Sequence, residues 1–228
     1  MKITQNIKVS VDAVVFGYTS GEGLSILFIK RKINPFKGSW ALPGGLVLNE
    51  ESLESAVERE LEEESGVKIN YLEQLYSFGQ PNRDPRNRVL SVAYFGLVRP
   101  SAFRLKAATD AMDAAWFPIK DLPDLAFDHI KIVTKAIQRL KAKITYEPIG
   151  FELLGKKFPF SELEKLYSAV LDRPIDRRNF KKKIMKFNFL IETDEKQKLL
   201  GSGRPGNLFK FDEKRYFKLV KEGINFEV

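Results

Sequence analysis

The chain has 228 residues, long enough for one large domain or two small ones, and its 43% apolar and 12% aromatic content supplies a core that a disordered or fibrous chain lacks. The absence of cysteine excludes disulfides, thiolate zinc sites and thiol catalysis, and the single histidine, His129, excludes multi-histidine metal sites and argues against a histidine-based triad. The start MKITQNIKVS has no apolar run of signal-peptide length, and no stretch reaches the ~20 apolar residues of a membrane helix, so a soluble, cytoplasmic protein is expected. The net charge of +8 is uneven: residues 1–147 carry 20 basic against 18 acidic residues, and 148–228 carry 18 against 12. A basic unit attached to a near-neutral one suggests a polyanion partner. The boundary between them is placed at Ala142–Gly150, where a helical pattern stops and Pro148 and Gly150 interrupt the chain.

In chain order, Lys8–Tyr18 and Leu24–Lys32 are β-rich runs joined by the turn Thr19-Ser20-Gly21-Glu22-Gly23. Ser52–Ser65 has helical character and ends at Gly66, which tolerates a left-handed cap. Further strands are expected at Tyr71–Phe78, Arg88–Val98 and Ala114–Pro118. A second helix fits Asp128–Lys141, with Asp128 as N-cap and Ile130, Val133, Ile137 and Leu140 along one side. Strands and helices in this order suggest an α/β sandwich.

The helix after Ser52 carries the first chemical signal. Leu53, Ala56, Val57 and Leu61 form one apolar stripe, yet Glu60 and Glu64 fall inside it and Glu63 at its edge, while Glu54, Glu58 and Glu62 project elsewhere. An ionised carboxylate buried alone is strongly unfavourable, so these glutamates need a cation, a proton or a partner. Arg59 could supply one charge, and three carboxylates could also cradle a hard divalent ion; by periodicity alone, an acidic surface helix fits as well.

The spacing Gly45, Glu51, then Arg59-Glu60-Leu61-x-Glu63-Glu64-x-Gly66-Val67 resembles the Nudix box at every position. That resemblance implies an α/β/α Nudix sandwich over about residues 1–145, with Mg²⁺ or Mn²⁺ held by Glu60, Glu63, Glu64 and the carbonyl of Gly44. It also implies a catalytic pair of Glu60, as candidate base, and Arg59, with Glu51 and Arg59 bracing the loop–helix motif. The bound metal would activate water and neutralise a diphosphate.

Arg83, Arg86 and Arg88 precede the strand Val89–Val98. Guanidinium forks match phosphate oxygens, and a solvated loop explains these residues equally on general grounds. The stretch resembles the arginine-rich segment of ADP-ribose pyrophosphatases and Nudix-related regulators, which makes Arg83, Arg86 and Arg88 candidate ligand-binding residues, with Arg31 a further candidate at a strand end. Trp40, Trp116 and His129 are read as structural.

In the C-terminal unit, Ser161-x-x-Glu164 is a capping-box signature ahead of a helix with Leu163, Leu166, Tyr167 and Val170 inward. After the break Asp172–Ile175, Asp176 can cap a second helix to about Phe187, with Phe180 and Ile184 inward and Arg177, Arg178, Asn179, Lys181, Lys182 and Lys183 crowding its first two turns. Strands Phe189–Thr193 and Leu208–Asp212 would flank a wing, Asp194–Asn207, containing Gly201, Gly203, Arg204 and Gly206. A helix-turn-helix with a basic second helix and a wing can grip one DNA duplex. Arg178 and Asn179 are candidates for base edges; the lysines and Arg204 are candidates for phosphates.

A Nudix box followed by Tyr146-Glu147-Pro148-Ile149-Gly150-Phe151-Glu152-Leu153-Leu154 and Asp176-Arg177-Arg178-Asn179-Phe180-Lys181-Lys182-Lys183 resembles the Nudix-related transcriptional regulators of bacterial NAD or pentose-sugar metabolism. The resemblance spans nearly the whole chain. It implies a Nudix effector sensor over 1–145 and a winged helix-turn-helix over 150–228, acting as a homodimeric repressor on a double-stranded operator. The effector would be ADP-ribose, a nucleotide sugar or a pentose. The intact box keeps a second expectation open, a Mg²⁺-dependent pyrophosphatase acting on ADP-ribose or a related nucleoside diphosphate sugar.

Overall fold

The computed structural model describes residues 5–105, 111–197, 205–223 and 226. Two compact units emerge, Met1–Gly17 with Ser25–Gln138, and Tyr18–Leu24 with Arg139–Val228. The elements are β1 (Lys8–Thr19), β2 (Gly23–Arg31), β3 (Trp40–Ala41), β4 (Gly44–Leu46), α1 (Leu53–Ser65), β5 (Tyr71–Phe78), β6 (Val89–Val98), β7 (Ala111–Pro118), α2 (His129–Tyr146), β8 (Phe158–Pro159), α3 (Phe160–Leu171), α4 (Arg177–Met185), β9 (Leu190–Lys196), β10 (Asn207–Phe211) and α5 (Glu213–Glu222).

The first unit is built on a mixed sheet ordered β3-β2-β1-β6-β5, with β4 paired to β1 and β7 to β2. β1 and β6 run parallel, Val11 opposite Val92 and Val15 opposite Gly96, so both strands are covered on two faces and read as almost unbroken apolar runs. Val11, Ala13 and Val15 on one face of β1 join Ala56, Val57 and Leu61 of α1 in a single core cluster. Val14 and Phe16 on the other face are equally buried. This is the expected α/β sandwich.

Local chemistry explains the ends of α1. Ser52 accepts the N–H of Ser55 at 3.1 Å, and Gly66 closes the helix at φ 73° with its N–H on the carbonyl of Glu62. In α2 the expected stripe is rotated. Ile132, Val133, Ala136 and Leu140 are buried, whereas Ile130 is exposed, and the helix runs to Tyr146 rather than Lys141. The carboxylate of Asp128, read as a cap, bonds Arg83. β7 starts three residues earlier than expected.

In the second unit, β8, β10 and β9 form a three-stranded sheet beside α3 and α4, the winged-helix arrangement. The capping box at Ser161 does not form. Pro159, pre-set in φ, stands at the N-cap with no side-chain cap bond, and Phe160 is already helical and buried against Phe180 and Phe209. Burying that ring outweighs the hydrogen bond of a serine cap. Asp176 does cap α4, accepting the N–H of Asn179 at 2.8 Å. α4 ends at Met185, and Phe187 packs on Phe189 instead of extending the helix. Helix α5, capped by Asp212, is an element beyond the expected set. Arg204, Gly201 and Gly203 lie outside the described residues. Among the described residues no helix is long and apolar enough to cross a membrane.

Gly96 shows how tightly β5 and β6 are joined: a Cβ there would stand 1.9 Å from Ile69 Cδ1 and 2.8 Å from the carbonyl of Tyr71. Gly96→Ala is expected to destabilise the chain by about 1–3 kcal/mol in urea unfolding, because overpacked backbone cannot retreat. Gly206→Ala, where a Cβ meets nothing within 4 Å, is expected to leave the midpoint unchanged.

Candidate functional site

The loop entering α1 is held by its own charges. β4 lies antiparallel to β1 with Gly44 opposite Asp12 and Gly45 opposite Val11. A Cβ at Gly44 would stand 2.2 Å from the carbonyl of Val11, and one at Gly45 would stand 2.2 Å from Glu60 Oε1. Gly44 therefore needs glycine, because the atom it meets is fixed backbone, whereas at Gly45 the near atoms are the carboxylate end of a flexible side chain. Arg59 grips Glu51 bidentately, Nε to Oε2 at 3.0 Å and Nη2 to Oε1 at 2.7 Å, and donates to the carbonyl of Leu46 at 3.3 Å. Glu51 also accepts the N–H of Leu48 at 2.7 Å, and its bonds to Arg59 and Leu48 hold its carboxyl down to about 2. Arg59 thus braces the loop.

Arg59 Nη1 also donates to Glu60 at 2.8 Å and reaches Glu63 at 3.5 Å, whereas Glu64 turns the other way and accepts the N–H of Gly44 at 2.8 Å. Glu64 is buried; Glu63 is exposed. Burial pushes the Glu60 carboxyl up, with Arg59 pulling it back. Among the described residues no three Asp, Glu, His or Cys side chains are gathered closely enough to hold a metal ion. As chemistry, the donor set suits a hard divalent cation, since the three carboxylates and the Gly44 carbonyl are all oxygen.

Beside Gly44 and Gly45 opens a cleft lined also by Asp12, Arg31, Arg83, Asp84, Arg86, Phe127 and His129. Three of the four expected ligand arginines reach it. Arg83, however, is turned inward: its guanidinium, 5% exposed, donates to Asp128 at 2.8 Å and to Asp12 at 3.3 Å. Ser91 bonds the same Asp12 oxygen. Arg31 donates through Nε to the carbonyl of Pro35 at 2.9 Å, and Arg86 takes Asp84 in a fork at 3.0 and 2.7 Å. Arg88 donates to the carbonyl of Gly79 at 2.7 Å and is not among the described residues of the cleft wall. His129 is structural in its bonds. Its Nδ1 accepts the N–H of Leu42 at 2.9 Å, which leaves the proton of the neutral ring on Nε2, 3.5 Å from Asp12 Oδ1. Burial lowers its pKa, against the pull of Asp12.

In the second unit, Phe180 and Ile184 are buried and fix the roll of α4, so its basic side chains face outward. Arg177, Arg178, Lys181, Lys182 and Met185 line one groove; Asn179 and Lys183 are also exposed but are not part of its described wall. Arg177 reaches Glu164 of α3 at 3.3 Å, and the ammonium of Lys181 lies 5.6 and 5.5 Å over the rings of Phe160 and Phe209.

The NUDIX domain model matches residues 7–136, and the NrtR DNA-binding winged helix domain model matches residues 150–211. The chain belongs to the Nudix family. This Nudix chain is 32% identical over 206 residues, 89% of its own length and 81% of the relative's, to the ADPR responsive transcriptional repressor NtrR of Acinetobacter baylyi. It is 48% identical over 110 residues, 47% of its length and 63% of the relative's, to the ADP-ribose pyrophosphatase of Methanocaldococcus jannaschii. It superposes on the crystal structure of Shewanella oneidensis NrtR complexed with a 27mer DNA with a TM-score of 0.78 at 31% identity, covering 92% of this chain and 95% of that one. The fold is thus a Nudix α/β domain followed by a DNA-binding winged helix.

Residue patterns had not singled out Asp12, Ser91 or Phe127. The one available signal was Asp12 itself, a lone charge in the apolar run Val9–Phe16. Arg83→Ala in this Nudix chain is expected to cost about 3–5 kcal/mol, because two buried aspartates lose their cation. Arg86→Ala, at a half-exposed pair, is expected to cost at most about 1 kcal/mol in the same urea titration. His129 adds a pH dependence. Below about 6.5 the unfolded chain takes a proton that the buried ring resists, so stability is complete above that pH and falls as pH drops toward the depressed folded value. Unfolding midpoints measured from pH 7.5 to 5.5 should show this decline, and His129→Gln should flatten it.

Proposed function

We propose that the chain is a ligand-responsive transcriptional repressor, cytoplasmic and homodimeric, whose Nudix domain (1–145) senses ADP-ribose and whose winged helix (150–228) binds a double-stranded operator. The observation that carries this reading is α4, where Arg177 and Arg178 in the first turn of a capped helix, and Lys181 and Lys182 further along it, are set outward along one groove. The positive end of a helix dipole is an unfavourable place for cations and a favourable one for an anion. Such a surface suits the phosphates of a duplex, with Arg178 and Asn179 at base edges and Lys181, Lys182 and Lys183 on the backbone. Arg204 is assigned to the wing by sequence alone. ADP-ribose, rather than a free pentose, is the effector favoured by the two relatives, and regulation of NAD metabolism is the part of the proposal that rests on the family resemblance alone. Arg31 and Arg86 are the ligand contacts favoured by the cleft, with Arg83 supporting its wall.

Gel-shift titrations against the chain's own upstream region test this. Site-specific binding that weakens steeply with salt and responds to added ADP-ribose is expected; no specific complex at moderate salt would defeat the proposal. Arg178→Ala should cost about 1–3 kcal/mol and relax base preference, whereas Lys182→Ala should weaken all sequences alike and reduce the log–log salt slope by about 1.

A second reading, hydrolysis of ADP-ribose, draws support from the complete box and the 48% identity to a pyrophosphatase. Glu60, Glu63, Glu64 and the Gly44 carbonyl would hold Mg²⁺ or Mn²⁺, which when bound supplies charge neutralisation and an activated water. Arg59 would then keep its hold on Glu51 while yielding Glu60 and Glu63. AMP release from ADP-ribose with Mg²⁺ is the measurement. If the activity is present, Glu63→Gln should lower it by about 10- to 100-fold; an unchanged rate would remove Glu63 from the metal site.

A further inference from the structure

The groove along α4 has one wall residue that phosphate binding does not explain. Its described wall consists of four cations, Arg177, Arg178, Lys181 and Lys182, and of Met185, which is half-buried. At about 100° per residue, Arg178, Lys182 and Met185 stand at i, i+4 and i+7 and fall within about 60° of one another. Met185 lies about 120° from the middle of the buried Phe180–Ile184 face, so it belongs to the outward stripe. The end of the helix that carries it is anchored. The N–H of Lys186 bonds the carbonyl of Lys182 at 3.3 Å, and that of Asn188 bonds the carbonyl of Met185 itself at 3.2 Å. Phe187, between them, packs on Phe189 and Phe226.

A thioether set among cations gains nothing from the phosphate backbone. In the major groove, thymine alone of the four bases presents an apolar group, its C5-methyl, beside the hydrogen-bonding edges. A side chain on an anchored helical turn reaches such a group at a fixed depth, which reading a base requires. We infer that Met185 is a specificity-determining residue of the winged helix, packing its thioether end on a thymine methyl in the major groove. Arg178 lies seven residues earlier, about 10 Å along the helix axis, so the thymine stands about three base pairs from the pair that Arg178 meets. This inference rests on the operator-binding reading and adds to it a base identity that charge does not supply.

Footprinting of the full chain on its own upstream region defines the duplex. Each thymine of the protected site is then replaced singly by deoxyuridine, which removes the methyl and keeps every hydrogen-bonding group. Anisotropy titrations compare wild type, Met185→Ala, Met185→Gln and Lys182→Ala, with thermal melts to check the folding of each. Wild type is expected to lose about three- to fivefold in affinity at one thymine of a half-site, the worth of one buried methyl. Both Met185 variants should bind that deoxyuridine duplex and its thymine parent alike, whereas Lys182→Ala should weaken both and keep the difference between them. If Met185→Ala fails to fold, Met185→Gln, of similar length, decides the question. A specific complex in which no thymine methyl matters, or a methyl effect undiminished in the folded Met185 variants, overturns the inference and leaves the repressor reading standing. No site-specific complex with any fragment defeats that reading and this inference with it.

Discussion

Everything around the Nudix cleft depends on one buried cation. Arg83 lies between Asp12 on β1 and Asp128 ahead of α2, and Asp12 also meets Ser91 on β6 and His129 on α2. Placing these charges in the interior is expensive, and it is tolerated because each oxygen finds a donor. In return, segments 45 and 71 residues apart in sequence are locked around the backbone of Gly44, whose missing Cβ lets Asp12 approach. His129 extends the lock to the Leu42 amide at the start of the same loop. The loop that presents the box is therefore held from behind by charges and from the front by Arg59.

How much of this was legible depended on the range of the interactions. Helix α1 was readable to its last residue because Ser52, the apolar stripe and Gly66 act within a few positions of one another. The Asp176 cap and the outward basic face of α4 were readable for the same reason. Arg83 was not. Its neighbours Arg86 and Arg88 take local partners, the Asp84 carboxylate and the Gly79 carbonyl, and nothing in the local sequence distinguishes the one that turns inward to distant partners. Ile130 and Ser161 show tertiary packing overriding local pattern: Ile132 is buried where Ile130 was expected, and Phe160 carries α3 back past its expected cap. Phe127 gave no sequence signal, since an aromatic residue between an alanine and an aspartate is ordinary until its backbone conformation is seen.

The winged helix shows stability traded for binding. Its core is dominated by aromatic contacts: Phe151 stacks on Phe211 at 4.0 Å, Tyr167 meets Phe180 at 4.6 Å, and Phe189 touches Phe211 and Tyr216. Rings of this size bury much area per residue and let a small unit tolerate local electrostatic cost. α4 uses that tolerance. No acidic residue occupies its first turn, and Arg177 and Arg178 stand where the helix dipole disfavours them, eased at Arg177 by Glu164, while Lys181 at mid-helix lies over two ring faces. The lysine stem and ammonium over Phe160 and Phe209 also tie the helix surface to the same rings that form the core.

An intact Nudix box carries a structural burden that precedes any catalysis. Glu51 is engaged by Arg59 and the Leu48 amide, and Glu64 by the Gly44 amide, both without reference to a metal ion. A sensor that never hydrolysed its ligand would still lose its loop geometry if these residues changed. Glu63 differs from the others. It is exposed, and its contact with Arg59, at 3.5 Å, is the longest that residue makes to a carboxylate, so it supports the loop least. Retention of Glu51 and Glu64 thus says little about catalysis, and the chemical question turns on Glu60 and Glu63, of which Glu63 is the one whose removal the fold would scarcely register.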